Sequence, residues 1–545
     1  MNTHPLIRHP AARGACAAML ATLLAACAAP MWPGGSTPPP ASAPAAPVAS
    51  VPAAPAPSAG ADTAGAAPRP SAGPGGGSVA GQARTFSTQL ATYTSVAFDT
   101  VPGWGRDDFS ESWPAFLGSC RVLVGRGAEW RAICDRARQV DARSNAAIRG
   151  FFEREFAAYQ IRDDDRRPDG VVTGYFEPEL NGSRRYAPPF IYPVYGQPED
   201  MLFLDVRKIP ANQRGATVAA QLDGRNVVIQ SGVSTRDMGR PGLYALDLSS
   251  LTLDTIDRKV RLRAEGRRLL PYYTREEIET RGAPNARVLA FVDSVTALYE
   301  MQIQGSGRIR LAGGEVIRVG YAEQNGHPFR PTLAQSATGR PASRVRTRGL
   351  GLELELDDGN DEDVADGPNV IRTRGFKLAV PAVTGPVAVP GRRVVTPLAG
   401  SGIKDPSYVF FREAPNSAGG PVGAFGVPLS AGRSIAVDPR STPLGYPVFV
   451  STRAPDTGSP MQRLTIAQDT GGAIRGAVRA DYFFGNGQLA ASQARRMKER
   501  GQLWILLPRG LAVAAASALT SIRTRGAGAD LPQCLVPVED SCVDD

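Results

Sequence analysis

The chain has 545 residues, 61 Lys and Arg against 52 Asp and Glu, a net charge of +9 and three histidines. The length is enough for about two or three domains, and the charge would suit an anionic polymer, although an arginine-rich solvated surface explains most of it. His4 and His9 lie in the first nine residues, so a zinc peptidase with an HExxH motif is excluded. A histidine-based triad would depend on His327, in the polar turn EQNGHPF, where a surface or structural role is the simpler interpretation.

Residues 1–27 have the layout of a secretory signal. A short basic start precedes an apolar stretch of about a dozen residues, too short to span a bilayer. The stretch ends in LAAC at 24–27, which resembles the bacterial lipobox, and Ala28 after the cysteine favours the outer membrane. An ordinary signal with an incidental cysteine is the alternative. We expect Cys27 to be lipidated and the protein to face the periplasm from the outer membrane, which argues against a nucleic-acid partner.

Four cysteines follow Cys27, and they are Cys120, Cys134, Cys534 and Cys542. An even number in an exported protein predicts two disulfides, and three pairings are possible. The simplest is the local one, Cys120–Cys134 with Cys534–Cys542. The spacing fits neither a zinc ribbon nor a redox CxxC pair, so no metal site is expected.

The predicted elements begin after residues 28–84, an Ala-, Pro-, Gly- and Ser-rich stretch that predicts a semi-extended linker. From about 107 to 160, apolar residues recur every three or four positions and predict helices, with Ser144 as an N-cap. From 171 the period is that of short strands. Thr274 and Glu277 have capping-box spacing and predict a short helix that Gly282 ends. RVLAFVDSVTALYEMQIQGSGRIRL then changes from a helical to a strand pattern, with Gly305 and Gly307 marking a close approach of backbone.

The second half is less uniform. Residues 332–404 lack a core-forming pattern, and the acidic part 350–368 predicts a solvated loop. Strands resume at DPSYVFFRE, and RLTIAQD alternates clearly. Residues 488–500 predict a helix that Gly501 ends, and QLWILLP predicts a buried strand. Short strands with small helices indicate a second β domain, most simply a barrel.

Asp438, Asp469 and Asp481 are the candidates for acid–base chemistry. Asp469 ends a strand before two glycines, where bonds from the N–H groups of its own turn are expected to depress its pKa. Asp481 precedes three aromatic residues, and a carboxyl group against aromatic surface loses hydration and can keep a proton near neutral pH, as a general acid must. Asp438 precedes a proline and is most simply structural. Turn aspartates are common, so spacing alone does not establish an enzyme.

Six motifs occur in an order that resembles the membrane-bound lytic murein transglycosylase A family with its C-terminal three-aspartate (3D) domain. They are VVTGYFEPEL (171–180), MQIQGSGRI (301–309), GYAEQNGHPFRP (320–331), DPSYVFFRE (405–413), AVDPRSTPLGYPVFV (436–450) and AQDTGGAIRGAVRADYFFGNG (467–487). The likeness covers roughly 95–330 and 405–510. Segment 332–404 departs from the helical segment usual in the family, through either a lineage-specific replacement or a change of reading frame.

The resemblance implies a mainly β fold with some α. A double-psi β-barrel is formed by flanking segments, with a helical part at 85–171 and the 3D domain at 405–525. A β-rich substrate domain, 172–331, is inserted between them, and a groove separates the two. Segment 332–404 is then atypical and partly disordered, and 526–545 is a C-terminal tail.

The resemblance also implies a site and a reaction. Asp481 is the catalytic residue, and the other residues carried over are Asp469 and Asp438 as supporting groups and Tyr175, Gln304 and Ser306 as substrate contacts. The reaction is cleavage of the β-1,4 bond between N-acetylmuramic acid and N-acetylglucosamine in peptidoglycan glycan strands, with a 1,6-anhydro product. One carboxyl group acts as acid and then as base, and neither metal nor other cofactor is implied. Two alternatives remain, a non-catalytic peptidoglycan-binding lipoprotein and a hydrolase that uses Asp469 and Asp481 as a pair.

Overall fold

The computed structural model describes most of the chain between residues 85 and 511. The described ranges are 85–233, 237, 240–253, 258–332, 345–346, 353–355, 370–374, 376–379, 401–416, 419–471, 474–511 and 535. Predictions that lie outside them are the signal with Cys27, the linker 28–84, most of the acidic loop 350–368, the Cys534–Cys542 disulfide and the tail 526–545 apart from Leu535. Within these ranges, no helix combines the length and apolar character that a membrane span needs.

The helices and strands are numbered in chain order. The first part contains β1 Thr85–Ser87, β2 Thr92–Val96, α1 Phe109–Leu123, α2 Ala128–Ala137, α3 Asn145–Glu155, β3 Phe156–Arg162 and β4 Gly170–Glu177. The middle part contains β5 Glu179–Ser183, β6 Tyr192–Tyr195, β7 Leu202–Asp205, β8 Thr217–Asp223, β9 Asn226–Gln230, β10 Tyr244–Asp247, β11 Lys259–Glu265, β12 Arg268–Pro271, α4 Arg275–Arg281, β13 Val288–Val292, α5 Val295–Gln304, β14 Ser306–Leu311 and β15 Val316–Gln324. The last part contains β16 Val345–Arg346, β17 Glu353–Glu355, β18 Val370–Thr373, β19 Phe376–Ala379, β20 Val409–Ala414, β21 Ser434–Val437, β22 Pro447–Arg453, β23 Pro460–Asp469, β24 Arg479–Asn486, α6 Gly487–Arg496 and β25 Lys498–Pro508.

Six strands close a barrel, with β4 from before the middle part of the chain and the other five from after it. The order is β25-β22-β23-β21-β24-β4, and β4 pairs again with β25 to close the circle. The β21–β23 and β24–β4 pairs are parallel, and the other pairs in the ring are antiparallel. Strands β3, β2 and β1 extend the sheet from β25. Helices α1 to α3 cover it through a buried aromatic cluster that includes Trp113, Phe116, Phe151 and Phe152.

The middle part, together with β20 from the last part, forms two further β structures. A six-stranded sheet has the order β20-β15-β14-β5-β13-β6, and a second closed barrel has the order β10-β12-β11-β7-β9-β8. The predicted capping box is confirmed, because the Thr274 side chain accepts from the Glu277 N–H and the Glu277 side chain accepts from the Thr274 N–H. Gly282 follows the helix as predicted.

The helices predicted between about 107 and 160 are present as α1, α2 and α3, and the Ser144 cap is confirmed because its side chain accepts a hydrogen bond from the Ala147 N–H. The helical prediction is wrong from Phe156 onward, where β3 begins. Here the chain pairs with β2 on one side and β25 on the other. These long-range pairings override a local apolar pattern that also fits a helix.

Two other helix predictions are wrong at one end. Residues 288–292 form β13, and the helix α5 begins only after Ser294, which caps it. The helix predicted over 488–500 ends at Arg496, and Gly501 lies inside β25 instead of ending the helix. A Cβ on Gly501 would lie 2.5 Å from Val172 Cγ2, so this glycine permits a close approach between β25 and β4.

The local disulfide prediction is confirmed for its first pair. Cys120 and Cys134 are bonded, with a sequence separation of 14 residues, and link α1 to α2. Both side chains are buried in the cluster beneath the helices.

Candidate active site

Asp481 lies at the centre of the candidate site, on the barrel strand β24. The parallel register places it opposite Thr173 on β4. The Thr173 hydroxyl donates a hydrogen bond to Asp481 Oδ1, and Arg374 Nη1 donates to Oδ2 over 2.8 Å. Asp481 is 0% exposed. A fully buried carboxylate needs such partners, because burial without them is very unfavourable.

Arg374 connects several parts of the site. Its Nη2 donates to the Gln304 carbonyl oxygen over 3.1 Å, and its guanidinium lies 4.6 Å from the centre of the Tyr175 ring. A cation over an aromatic face is attracted by the ring electrons. Arg374 therefore joins the barrel residues Asp481 and Tyr175 to the end of α5.

A second cation, Arg479, lies two residues before Asp481 on β24 and so on the same face of the strand. It is buried, and burial lowers its pKa, while the charge of Asp481 acts in the opposite direction. Its Nη1 has no hydrogen-bond partner among the described residues. Asp481 thus has two arginines near it, Arg374 in an ion pair and Arg479 with one nitrogen that has no hydrogen-bond partner in the part of the chain that the structure describes.

Asp469 ends β23, is partly buried and interacts electrostatically with Arg374. Its Oδ1 accepts a hydrogen bond from the Ala424 N–H over 2.9 Å. Burial raises the pKa of Asp469, with Arg374 and backbone N–H groups opposing the rise. The predicted depression is wrong, because the loss of hydration outweighs the hydrogen bonds.

The other predicted residues take different places. Burial, followed by the charge of Asp469, raises the pKa of Tyr175 well above its usual value. Gln304 Oε1 accepts from the Phe176 N–H over 3.2 Å and so ties α5 to β4. Ser306 begins β14 and is 8% exposed.

Asp438 is fully buried after β21, and its role there is local: it accepts from the N–H of Gly476 over 3.0 Å and forms an ion pair with Arg440 over 2.7 Å.

The close approach predicted at Gly305 and Gly307 is present only at Gly307, which lies in β14; a Cβ on Gly305 would have no atom within 4 Å. A Cβ on Gly307 would lie 2.3 Å from Met301 Sδ, so a larger residue would require the buried Met301 side chain to move. Gly305 ends α5 with a φ of 79°, in the left-handed region that favours glycine.

The aromatic residues after Asp481 do not all face it. Tyr482 and Phe484 alternate with Asp481 along β24 and line a cavity of 720 Å³ on the other face of the strand. The Tyr482 hydroxyl donates to the Gly432 carbonyl oxygen, and only Phe483 packs toward the site, 5.1 Å from the Tyr175 ring. The immediate partners of Asp481 are polar.

The comparisons with known proteins agree with this architecture. The model of the 3D domain matches residues 433–507, and that of the MltA specific insert domain matches 171–233 and 240–335. The crystal structure of MltA from Neisseria gonorrhoeae is 32% identical, covers 79% of this chain and 94% of that chain, and has a TM-score of 0.58. The chain belongs to the MltA family of lytic transglycosylases.

A second MltA-like structure, the membrane-bound lytic murein transglycosylase from Agrobacterium tumefaciens, is 26% identical, covers 77% of this chain and 98% of that chain, and has a TM-score of 0.50. No curated protein sequence matches the chain. The predicted fold is confirmed: it is the mainly β MltA fold, a double-psi β-barrel with an inserted domain.

The sequence-based prediction does not include three residues of this candidate site. Thr173 was inside a quoted motif, and parallel pairing of its strand with that of Asp481 would have pointed to it. Arg479 could have been found from strand alternation, since residues two apart share a face. Arg374 had no signal, because it lies in the segment 332–404, which carries no family motif.

Proposed function

We propose that this protein cleaves the β-1,4 bond between N-acetylmuramic acid and N-acetylglucosamine in peptidoglycan by lytic transglycosylation. The observation that carries the proposal is Asp481, a buried carboxyl group on β24 inside the matched 3D domain, oriented by Thr173 from the strand that leads into the insert. Membership of the MltA family supplies the substrate class and the reaction type.

The first half of the reaction is a proton transfer from Asp481. The protonated carboxyl group gives its proton to the glycosidic oxygen, the bond from that oxygen to muramyl C1 breaks, and N-acetylglucosamine leaves with a free 4-hydroxyl group. Positive charge develops at C1, and the carboxylate that remains on Asp481 stabilises it electrostatically. The Thr173 hydroxyl holds one carboxylate oxygen, so the other can face the sugar.

The second half closes a ring within the same sugar. Asp481 takes the proton of the muramyl C6 hydroxyl, and the C6 oxygen bonds to C1 to give the 1,6-anhydro product. Asp481 ends protonated, as it began, and no water is consumed. A second catalytic carboxyl group is therefore unnecessary, and Asp469 acts as a supporting charge near the site.

The test of this assignment is Asp481→Asn, which keeps the shape and removes the acid. We expect the release of anhydro-muropeptides from purified murein sacculi to fall by about 10²- to 10⁴-fold or more. Asp165→Asn, the same change at an exposed aspartate, is the matched control and should leave release unchanged. Release that persists in Asp481→Asn would show that another group is the acid.

We also propose that Cys27 carries a lipid and that the protein acts in the periplasm from the outer membrane. The support is the LAAC sequence at 24–27, followed by a linker long enough to hold the folded part away from the lipid. Cys27→Ser should move the protein from the outer-membrane fraction to the soluble periplasmic fraction. An unchanged membrane fraction would refute the anchor.

A further inference from the structure

The hairpin of β18 and β19 lies against the catalytic carboxyl group. The two strands pair antiparallel, from Val370 with Ala379 to Thr373 with Phe376, so Arg374 is at the turn. Its backbone φ of 47° is in the left-handed region, which is unfavourable for a residue with a Cβ. The turn therefore presents Arg374 in a backbone conformation that its contacts must hold.

Those contacts close the site. Arg374 occupies Asp481 Oδ2 over 2.8 Å, donates to the Gln304 carbonyl oxygen over 3.1 Å and covers the Tyr175 ring. Asp481 and Thr173 are both 0% exposed, and Tyr175 is 2% exposed. A glycan strand cannot reach Asp481 while this arrangement holds.

The hairpin is seated by apolar contacts as well. Ile371 on β18 and Leu378 on β19 are buried. Strand β18 packs against α5, which belongs to the insert, and α6, which belongs to the barrel part. The Ala379 N–H donates to the Thr332 carbonyl oxygen over 2.9 Å. The hairpin thus bridges the two parts of the molecule across the position of Asp481.

The ion pair and the proposed chemistry exclude each other. A general acid needs a protonated carboxyl group in contact with the glycosidic oxygen. The pair with Arg374 needs the charged carboxylate and uses the oxygen that Thr173 leaves free. Arg374 and the substrate therefore compete for Asp481 Oδ2.

We infer that the β18–β19 hairpin is an autoinhibitory plug, in which Arg374 takes the place of the glycosidic oxygen at Asp481 and a glycan strand must displace it. This inference rests on the proposed function of Asp481.

Displacement leaves Asp481 with other partners. Thr173 is on the barrel strand and keeps its hydrogen bond. Arg479, buried beside Asp481 with an unpaired Nη1 among the described residues, remains as a cation near the carboxylate. Removing one partner of a buried ion pair is costly mainly when the remaining charge is uncompensated, so a second arginine makes opening of the plug feasible.

Arg374→Ala tests the plug in the full chain, with the hexamer of β-1,4-linked N-acetylglucosamine as ligand. A ligand whose site is open in only a fraction of molecules binds more weakly by that fraction. We expect Arg374→Ala to bind the hexamer about tenfold more tightly or better, measured by calorimetry. Arg372→Ala, which removes a cation from the same strand, is the control and should bind like the wild type.

Equal or weaker hexamer binding by Arg374→Ala overturns the inference, and weaker binding would make Arg374 a substrate contact instead. Hydrogen exchange of residues 370–379 in the wild type gives a second test that needs no variant. Exchange should accelerate when the hexamer is added, and unchanged protection overturns the inference. Binding requires no cleavage, so an absence of anhydro products alongside tighter binding would refute the proposed function and leave the plug standing.

Discussion

At Asp481 the two carboxylate oxygens have partners of different origin. Thr173 belongs to β4, which is paired on both sides within the barrel, whereas Arg374 belongs to a two-stranded hairpin. The hydroxyl partner is therefore fixed by the fold, and the guanidinium partner can leave without breaking the barrel. Orientation of the carboxyl group should depend on Thr173 in every state of the site.

Thr173→Val removes this hydroxyl with little change of volume. We expect the rate of anhydro-muropeptide release to fall by about tenfold, since a hydrogen bond to a charged group contributes roughly 1.5 kcal/mol at the low end. Thr173→Ser keeps the hydroxyl and should retain most of the rate. If the valine variant works as fast as the serine variant, the hydroxyl does not orient Asp481.

His327 gives a prediction on pH dependence. Its Nε2 lies 2.7 Å from the Tyr272 carbonyl oxygen, and burial lowers its pKa below the ordinary 6.5. The unfolded chain therefore binds the proton more readily, so this histidine's contribution to stability is present above pH 6.5 and is lost as the pH falls through the folded pKa.

An NMR titration of the imidazole signals measures this pKa directly. The other two histidines, His4 and His9, lie in the predicted signal, so a protein that begins after the signal has His327 alone. His327→Gln should remove the shifted signal. It should also make the free energy of unfolding depend less on pH below neutrality. A pKa at or above 6.5 for His327 would contradict the burial of its ring.

Residue-level prediction succeeded where a strand pattern carried the information. The position of Asp469 at the end of RLTIAQD followed from alternation, but its pKa is raised by burial in the folded molecule, which local sequence does not show, against the opposing effects of Arg374 and the Ala424 N–H. The neighbours of Asp481 were misjudged for a related reason. Adjacent aromatic residues on a strand point to alternate faces, so Tyr482 and Phe484 turn away from it.

Among the elements, the pair of helices α1 and α2 is tied by a covalent link. The Cys120–Cys134 disulfide closes a loop with a sequence separation of 14 residues. Its removal in a Cys120→Ala, Cys134→Ala double variant should lower the free energy of unfolding by about 3 kcal/mol, through the greater entropy of the unfolded chain.

Urea unfolding of the wild type and the double variant, each with and without reductant, measures this contribution. Reductant should shift the midpoint of the wild type toward that of the variant, and by more than it shifts the midpoint of the variant, which keeps Cys534 and Cys542. An identical midpoint for both oxidised proteins would mean that the disulfide adds nothing to stability.

Helix boundaries marked by a local capping residue were easier to predict than the others. Ser144 and the Thr274–Glu277 box act within one turn of chain, so sequence alone identifies them. The end of α3 and the end of α6 are set by partners that arrive from elsewhere, since β3 pairs with β25 and Gly501 lies against Val172. No local pattern contains that information.

Across the whole molecule, a buried ion pair joins the barrel to the insert. Glu177 lies at the end of β4 and Arg318 on β15, with 2.9 Å between Arg318 Nε and Glu177 Oε1. Both side chains are buried, and Arg318 Nη1 also donates to the Gly419 carbonyl oxygen over 2.7 Å. The pair fixes the strand that leads from Thr173 into the insert.

Arg318→Met would leave Glu177 as an uncompensated buried charge. We expect it to lower the free energy of unfolding by about 3–5 kcal/mol, and a Glu177→Leu, Arg318→Met double variant to recover most of the loss. Thermal or urea unfolding of both variants checks this. A double variant as unstable as the single one would show that the Arg318 side chain stabilises the fold through its hydrogen bond to the Gly419 carbonyl oxygen instead.

The molecule's topology was predictable only through its motifs. Composition and periodicity indicated β-rich parts, while the closure of the barrel depends on β4 meeting β25, which lie on opposite sides of the insert in the sequence. The hairpin that carries Arg374 lies in a segment with no family motif, so neither its strands nor its contact with Asp481 could be anticipated.

In the proposed reaction, one carboxyl group breaks the glycan strand and the sugar's own C6 hydroxyl is the nucleophile. The most direct measurement is mass analysis of the fragments released from purified murein sacculi in water enriched in heavy oxygen. We expect 1,6-anhydro-muropeptides, lighter than hydrolysis products by one water and free of the heavy label. Labelled reducing ends would contradict it and identify a hydrolase, and an absence of release would identify a protein that binds peptidoglycan without cleaving it.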